Sequence, residues 1–349
     1  MKKIAYIELD THAEIALNFM ELMNDSKVFS VDYYFSEKIL RFFGFAQNDK
    51  LPENIKNATP ENLIQQLSTD NYQLIIIGTV HRYFNVFEKV AEKFNTSIIC
   101  HNLNFVKVAN FDLLSSIFKE DYQFRLKLLL KEGLLSKSKV YKKAKNLLVL
   151  DRGFDSAQPD KYKFLPIFYT KFSENSDNPI FTIVIPGAVS QKRRDYERVL
   201  KSIKNFRFPS EIIFLGKALG KELEILQDFE QSKPENISIK YFTEKVPQDV
   251  FDDYMQKADV LWCPIQQETE FFSQKEIYGI TKLSGNIGDA VKFGKLAVFP
   301  EDYPSKYSFI IPEKGSLGDF LFTKKDVDFS EFSKEKVLQE LEKTIFALL

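Results

Sequence analysis

Short apolar runs, each ended by a small or polar cluster, recur along the whole chain. Residues 4–9, 74–77, 97–100, 147–150, 181–185 and 260–264 are runs of this kind, and 29–35, 211–215 and 237–242 read as further strands. A strand covered on one face alternates apolar and polar residues, whereas one buried on both faces does not. Helical patterns fall between the runs, as at 13–23, 86–94, 219–229 and 248–257. Strands alternating with helices require a parallel sheet with helices on both faces, so the fold class is α/β. At 349 residues the chain can bury two such cores. The stretch 153–178 holds Pro159, Pro166 and many polar residues and is the best boundary. The division is then a first domain over 1–155, a linker over 156–179 and a second domain over 180–331. A last helix over 332–349 carries Val337, Leu338, Leu341, Ile345 and Phe346 at helical spacing and is expected to pack back on the first domain.

Bulk properties remove several classes of function. The net charge of −1 gives no global drive toward nucleic acid. Cys100 and Cys263 stand far apart at the ends of apolar runs, which is neither a disulfide framework nor a zinc spacing and suits the cytoplasm. No apolar run approaches the roughly 20 residues of a membrane-spanning helix. Asp326-Val327-Asp328 is read as a solvated turn, and no other cluster has metal-ligand spacing.

Candidate site residues gather at strand ends. The three histidines, His12, His81 and His101, each follow a strand directly, where a parallel sheet opens its ligand crevice. Asp10 and Asn104 lie at the same edge. In the second half, Tyr278-Gly279-Ile280-Thr281-Lys282-Leu283-Ser284-Gly285 leads into a helix containing Asp289. Ser284 can cap that helix, Gly285 lets a ligand approach the backbone, and the free amides suit a phosphate. Lys282 adds a cation, and Asp289 can hold ribose hydroxyls. Gly187, followed by Lys192, Arg193 and Arg194, is a second phosphate-friendly turn. An ordinary capped helix and solvated arginines would read the same way.

In the order of these features, the second half resembles the nucleotide-sugar-binding domain of GT-B glycosyltransferases, chiefly the retaining, family 4-like group with a Glu-x7-Glu motif. The match runs over Gly187, Lys192-Arg193-Arg194, Gly216-Lys217, Tyr241-Phe242 to Val246-Pro247, Asp252 and Tyr254, Ala258 to Pro264, and Tyr278 through Asp289 to Gly294-Lys295. The resemblance implies two Rossmann-like domains facing each other across a cleft. It implies a diphosphate on the amides after Ser284 and on Arg193 or Arg194, Lys217 and Lys282. Ribose would lie on Asp289, at the second motif Glu, and the base near Phe242 to Val246. The first motif Glu falls at Thr281, and Glu270 and Glu276 are out of spacing. The expected activity is metal-independent transfer of a sugar, without a cofactor, from a UDP- or GDP-sugar to a glycan or lipid-linked acceptor, in surface polysaccharide assembly. A non-catalytic GT-B partner and a nucleotide-sugar epimerase are the alternatives. An inverting reaction would need a base, for which His12 is the first choice; in a retaining one the histidines would bind sugar.

Residues 119–145 interleave Phe124, Leu126, Leu128, Leu129, Leu130, Leu134 and Leu135 with Arg125 and eight lysines. Two readings fit. One is a surface helix pair with its leucines inward and its lysines in solvent. The other is a peripheral contact with an anionic membrane at the cytoplasmic face.

Overall fold

The computed structural model describes residues 1–157, 160–172, 178–313 and 327–349. The first sheet contains β1 (Lys2–Glu8), β2 (Phe29–Phe35), β3 (Ile55–Asn57), β4 (Leu74–Ile77), β5 (Thr96–Ile99), β6 (Asn146–Val149) and β7 (Tyr162–Phe164), in spatial order β3-β2-β1-β4-β5-β6-β7. Its strands are all parallel. The second sheet contains β8 (Phe181–Pro186), β9 (Ser210–Lys217), β10 (Ile237–Phe242), β11 (Val260–Trp262), β14 (Ala297–Pro300) and β15 (Ile310–Glu313), in order β10-β9-β8-β11-β14-β15. Between β11 and β14 an antiparallel hairpin is inserted, formed by β12 (Glu268–Phe271) and β13 (Gln274–Ile277).

Both sheets reverse their winding beside their first strand, between β1 and β4 and between β8 and β11. Loops diverge at such a point and leave a crevice at the carboxyl ends of the strands. Each sheet is covered on both faces, which is why its central strands read as unbroken apolar runs: Ile4 to Ile7 and Leu74 to Ile77 are fully buried. The helix Lys334–Leu348 lays Val337, Leu341, Ile345 and Leu348 into the first sheet's core, against Phe19, Leu22 and Ile167.

Four elements differ from the sequence reading. β3 falls in a stretch read as loop and β7 in the stretch read as linker; both are three-residue edge strands, too short to show a period. β15 shows no distinct sequence signal. The hairpin occupies a stretch read as a polar loop. Its turn residues, Phe272 and Ser273, both have positive φ (51° and 54°), a geometry normally announced by Asn-Gly or Asp-Gly. Residues 158–159 and 173–177 of the linker, and Asp326 of the Asp-x-Asp triplet, lie outside the described residues. Asp328 accepts from Ser330 N and Oγ and so closes a local turn.

The 119–145 segment also departs from expectation. The helix Tyr122–Lys131 buries Leu128 but also Arg125, which donates to Ser116 O and Ser273 Oγ. Lys137 is fully buried, with its ammonium on the carbonyls of Phe105, Val106 and Val108. Phe124, Leu126, Leu130 and Leu135 are exposed, so several apolar groups face out while two cations face in.

Candidate functional site

The histidines converge at the carboxyl edge of the first sheet. His12 follows β1, His81 follows β4 and His101 follows β5. His12 and His101 stack with centroids 3.8 Å apart, and His81 lies 6.0 Å from each. Every ring has a partner. His12 Nδ1 is 3.1 Å from Glu14 Oε1, His81 Nε2 is 3.3 Å from Asn102 Nδ2, and His101 Nε2 is 2.8 Å from Gly78 O. Burial, then electrostatic interaction with neighbouring basic groups including Lys282, holds His81 and His101 well below the usual imidazole range. Both are therefore neutral rings at pH 7. His12 begins its helix in the left-handed region (φ 59°), as does Tyr83 after β4 (φ 55°); non-glycine residues held there concentrate at functional edges.

The opposite wall is the carboxyl edge of the second sheet. Ser284 Oγ accepts from Asn286 N at 3.4 Å and opens the helix Gly285–Phe293. Gly285 is exposed, and a β-carbon there would meet no side chain or neighbouring element within 4 Å. Asn286 links two candidates: its amide donates to Asp289 Oδ2 at 3.1 Å, and its Oδ1 is 3.4 Å from Arg194 Nη2. Burial pushes Asp289 up to about 6 against the pull of Asn286, Lys292 and Arg194, while Glu14 of the first domain raises it further. The two walls thus feel each other's charge.

Gly187 (φ 102°) and Gly216 are needed for a close approach. A β-carbon on Gly187 would lie 2.4 Å from Arg194 Nη2, and one on Gly216 would lie 2.3 Å from Gly187 O. The loop after β8 therefore packs Arg194 against bare backbone. Arg194 Nε is buried with no hydrogen-bond partner. Among the described residues, Arg193, Arg194 and Lys282 have no ion-pair partner. Lys217 instead pairs with Glu244 at 3.4 Å, and Val246 packs on the second core. Lys217 O also accepts from Val189 N of the β8 loop at 3.0 Å, and Val246 packs on the cluster that holds Ile287, Ala290 and Val291 of the Asp289 helix.

The hairpin joins the walls. Phe271 packs on His81 with centroids 4.4 Å apart, and the Lys282 ammonium lies 6.0 Å from the Phe271 ring and 5.6 Å from Tyr278. Glu276 is fully buried and accepts from the amides of Asn104 (3.3 Å) and Phe105 (2.8 Å), capping a helix of the first domain from the second. Asn104 Nδ2 donates to Lys275 O, and Leu103 N donates to Thr281 O, both at 2.8 Å. Thr281 Oγ1 accepts from Ile277 N at 2.8 Å and closes its own turn. Burial pushes Lys282 below the usual lysine range.

Sequence reasoning missed Glu8, Asn286 and Phe271. Glu8 is 1% exposed at the end of an apolar strand; an acid in such a run was the available signal. Asn286 stands one residue past the named glycine. Phe271 gave no signal beyond composition.

No family model matches the sequence, and no curated protein matches it. Solved structures do. Anabaena HepE in complex with UDP is similar with a TM-score of 0.60 at 10% identity, over 99% of this chain and 100% of that one. The apo form of the lipopolysaccharide outer core galactosyltransferase WaaB gives 0.57 at 12% identity, over 99% and 100%. Sucrose-phosphate synthase from Thermosynechococcus elongatus gives 0.56 at 11% identity, over 100% and 95%. The fold is GT-B. In this GT-B chain the cleft has a histidine wall, a cationic wall and a hairpin that bridges them.

Proposed function

We propose that this chain is a glycosyltransferase that moves a sugar from a UDP- or GDP-sugar to a glycan or lipid-linked acceptor, without a metal. The observation that carries the reading is the wall around Gly285. The exposed helix start at Gly285, Arg194 and Lys282 without ion-pair partners among the described residues, and the Asn286–Asp289 pair stand together opposite three histidines. That set suits a leaving nucleoside diphosphate, whose growing negative charge cations and preorganised amides stabilise. Asp289 would hold the ribose hydroxyls, and Phe242 to Val246 would lie against the base. The GT-B neighbour HepE carries UDP, which supports the class of donor. On the acceptor side, His12 is oriented by Glu14 through Nδ1, and its Nε2 has no partner among the described residues. In an inverting reaction that nitrogen would take the acceptor's proton.

Isothermal titration with UDP and GDP tests the donor half. Binding of one nucleotide, weakened at least tenfold in Asp289→Ala, is expected; absence of binding to either sinks the reading. A second reading, a GT-B partner without turnover, is favoured by Thr281, which stands at the motif glutamate and is committed to its own turn. Nucleotide binding without transfer to any acceptor in a glycan and glycolipid panel would establish it.

The acceptor reading extends to location, at the cytoplasmic face in surface polysaccharide assembly. Among the described residues no helix is long and apolar enough to cross a membrane. Phe111, Phe118 and Leu130 are 79%, 83% and 73% exposed, with exposed lysines at 119, 127 and 131 beside them. Apolar insertion ringed by cations suits an anionic bilayer. Sedimentation with phosphatidylglycerol vesicles should capture the protein at low salt, less at high salt, and fail for Phe118→Ser/Leu130→Ser. A protein left in the supernatant at low salt refutes the contact.

A further inference from the structure

Glu8 ends β1 with its side chain almost wholly buried, facing the loops that carry the histidines. One carboxylate oxygen accepts from the amides of Asp10 (3.1 Å) and Thr11 (3.2 Å), the two residues before His12. The other accepts from Thr79 Oγ1 at 2.7 Å, in the loop that leads from β4 to His81. Thr79 Oγ1 is also 3.5 Å from His101 Nε2, whose closer partner is Gly78 O. Space for this carboxylate exists because residue 78 is glycine: a β-carbon there would lie 2.6 Å from Glu8 Oε2 and 2.6 Å from Tyr6 Oη. One buried group thus touches both loops that flank the winding reversal, and through Thr79 it reaches the third histidine.

We infer that Glu8 is the positioning residue of the histidine wall, holding the left-handed turn at His12 and the β4 loop in register so that three imidazoles meet. A carboxylate is suited to this because its two oxygens accept from two loops at once. Glutamine has one acceptor oxygen and one NH2, so it can serve either the Asp10–Thr11 amides or Thr79, not both as acceptor. Burial pushes the carboxyl up to about 7, consistent with a group kept away from water. Only the role of the histidines, not their placement by Glu8, rests on the glycosyltransferase reading.

The three-histidine content makes the test direct, because a long-range 1H–15N imidazole spectrum contains only three ring systems. In Glu8→Gln, the His12 and His101 ring signals are expected to move, and exchange protection of the Asp10 and Thr11 amides to fall at least tenfold. UDP affinity stays within twofold of wild type, since the donor wall is untouched. Thr79→Val removes one arm alone: His101 should shift, while Asp10 and Thr11 keep their protection. An imidazole spectrum of folded Glu8→Gln that overlays the wild type overturns the inference. Should Glu8→Gln not fold, an unshifted His101 in Thr79→Val overturns it. Wild-type protein that fails to bind UDP or GDP counts against the donor site and leaves this result standing.

Discussion

On the histidine wall each candidate ring is held by a neighbour, whereas on the cationic wall Arg193, Arg194 and Lys282 have no carboxylate among the described residues. The sheets behind them share one strand order, so topology does not make the difference. Loop content does. Glu8, Thr79, Asn102 and the Gly78 carbonyl each bond a neighbour on the first wall, while Thr11 Oγ1 and Asn102 Oδ1 are buried without a partner. On the second wall Arg193, Arg194 and Lys282 form no ion pair among the described residues, although Glu276 acts on Lys282 and Asp289 on Arg194 from farther off. A wall whose rings are held by its own groups can position a proton acceptor without a ligand, while a wall left short of negative charge is suited to a ligand that brings it.

The largest expected effect separates the walls by function. His12→Ala should lower turnover at least 100-fold in an inverting transfer, about 3 kcal/mol of barrier, with nucleotide affinity unchanged. Steady-state kinetics beside titration with the nucleotide reads both numbers. An equal loss in both would mean that His12 supports the donor wall and that the division is false.

Acid–base behaviour sharpens the same contrast. Glu8 is pushed from 4.5 up to about 7 by burial, against the Thr79 bond, the amide bonds and the His12 charge. A raised folded-state value means that the folded state favours the protonated form. The stability it contributes is complete below about 4.5 and is lost as pH rises through 7. The histidines act oppositely, because lowered values make the folded state resist protonation as pH falls below 6.5. Subtracting the urea-unfolding curve of Glu8→Gln from that of the wild type cancels much of the histidine contribution. The wild type should lose about 3 kcal/mol relative to the variant between pH 4.5 and 8, since raising the carboxyl by one pH unit is worth about 1.4 kcal/mol. A flat difference would mean that Glu8 is hydrated.

Two glycines test packing against openness. Gly216→Ala would drive a β-carbon onto the backbone of Gly187 and should cost about 2–3 kcal/mol in urea unfolding. Gly285→Ala meets open space and should change stability by less than about 0.5 kcal/mol. If the space before Gly285 is where phosphate sits, the same methyl should weaken nucleotide binding. Equal destabilisation by both would show that the opening at Gly285 is not there in solution.

Much of this architecture is legible in the residues alone. The buried strands β1, β4 and β6 declare themselves because a strand covered on both faces has little polar content to blur its limits. The histidines are visible as strand-end residues, and Ser284, Gly285 and Asp289 as a capped helix start. What stays hidden depends on distant partners. Glu8 gains its meaning from Thr79, more than seventy residues on, and Glu276 from amides in the other domain. Neither link leaves a local pattern. In 119–145 the lysines other than Lys137 are exposed as the sequence suggests, but Lys137 and Arg125 find carbonyl partners that no periodicity reveals.

The smallest effect falls where the walls meet. Lys282 is half-buried over Phe271 and Tyr278, and its own burial, with Arg193 nearby, lowers its hold on a proton. A bound diphosphate would reverse that cost, since an adjacent anion favours the charged amine. Lys282→Ala should therefore weaken nucleotide binding about tenfold, near 1.4 kcal/mol, and the loss should shrink at high salt if it is electrostatic. The same substitution removes a positive charge that depresses His81 and His101, so both imidazoles should titrate at higher pH in the variant even without ligand. An affinity loss with unmoved imidazoles would place Lys282 on the donor wall alone. Moved imidazoles with unchanged affinity would place it with the histidines, and the contrast between the walls would then have to be redrawn one residue over.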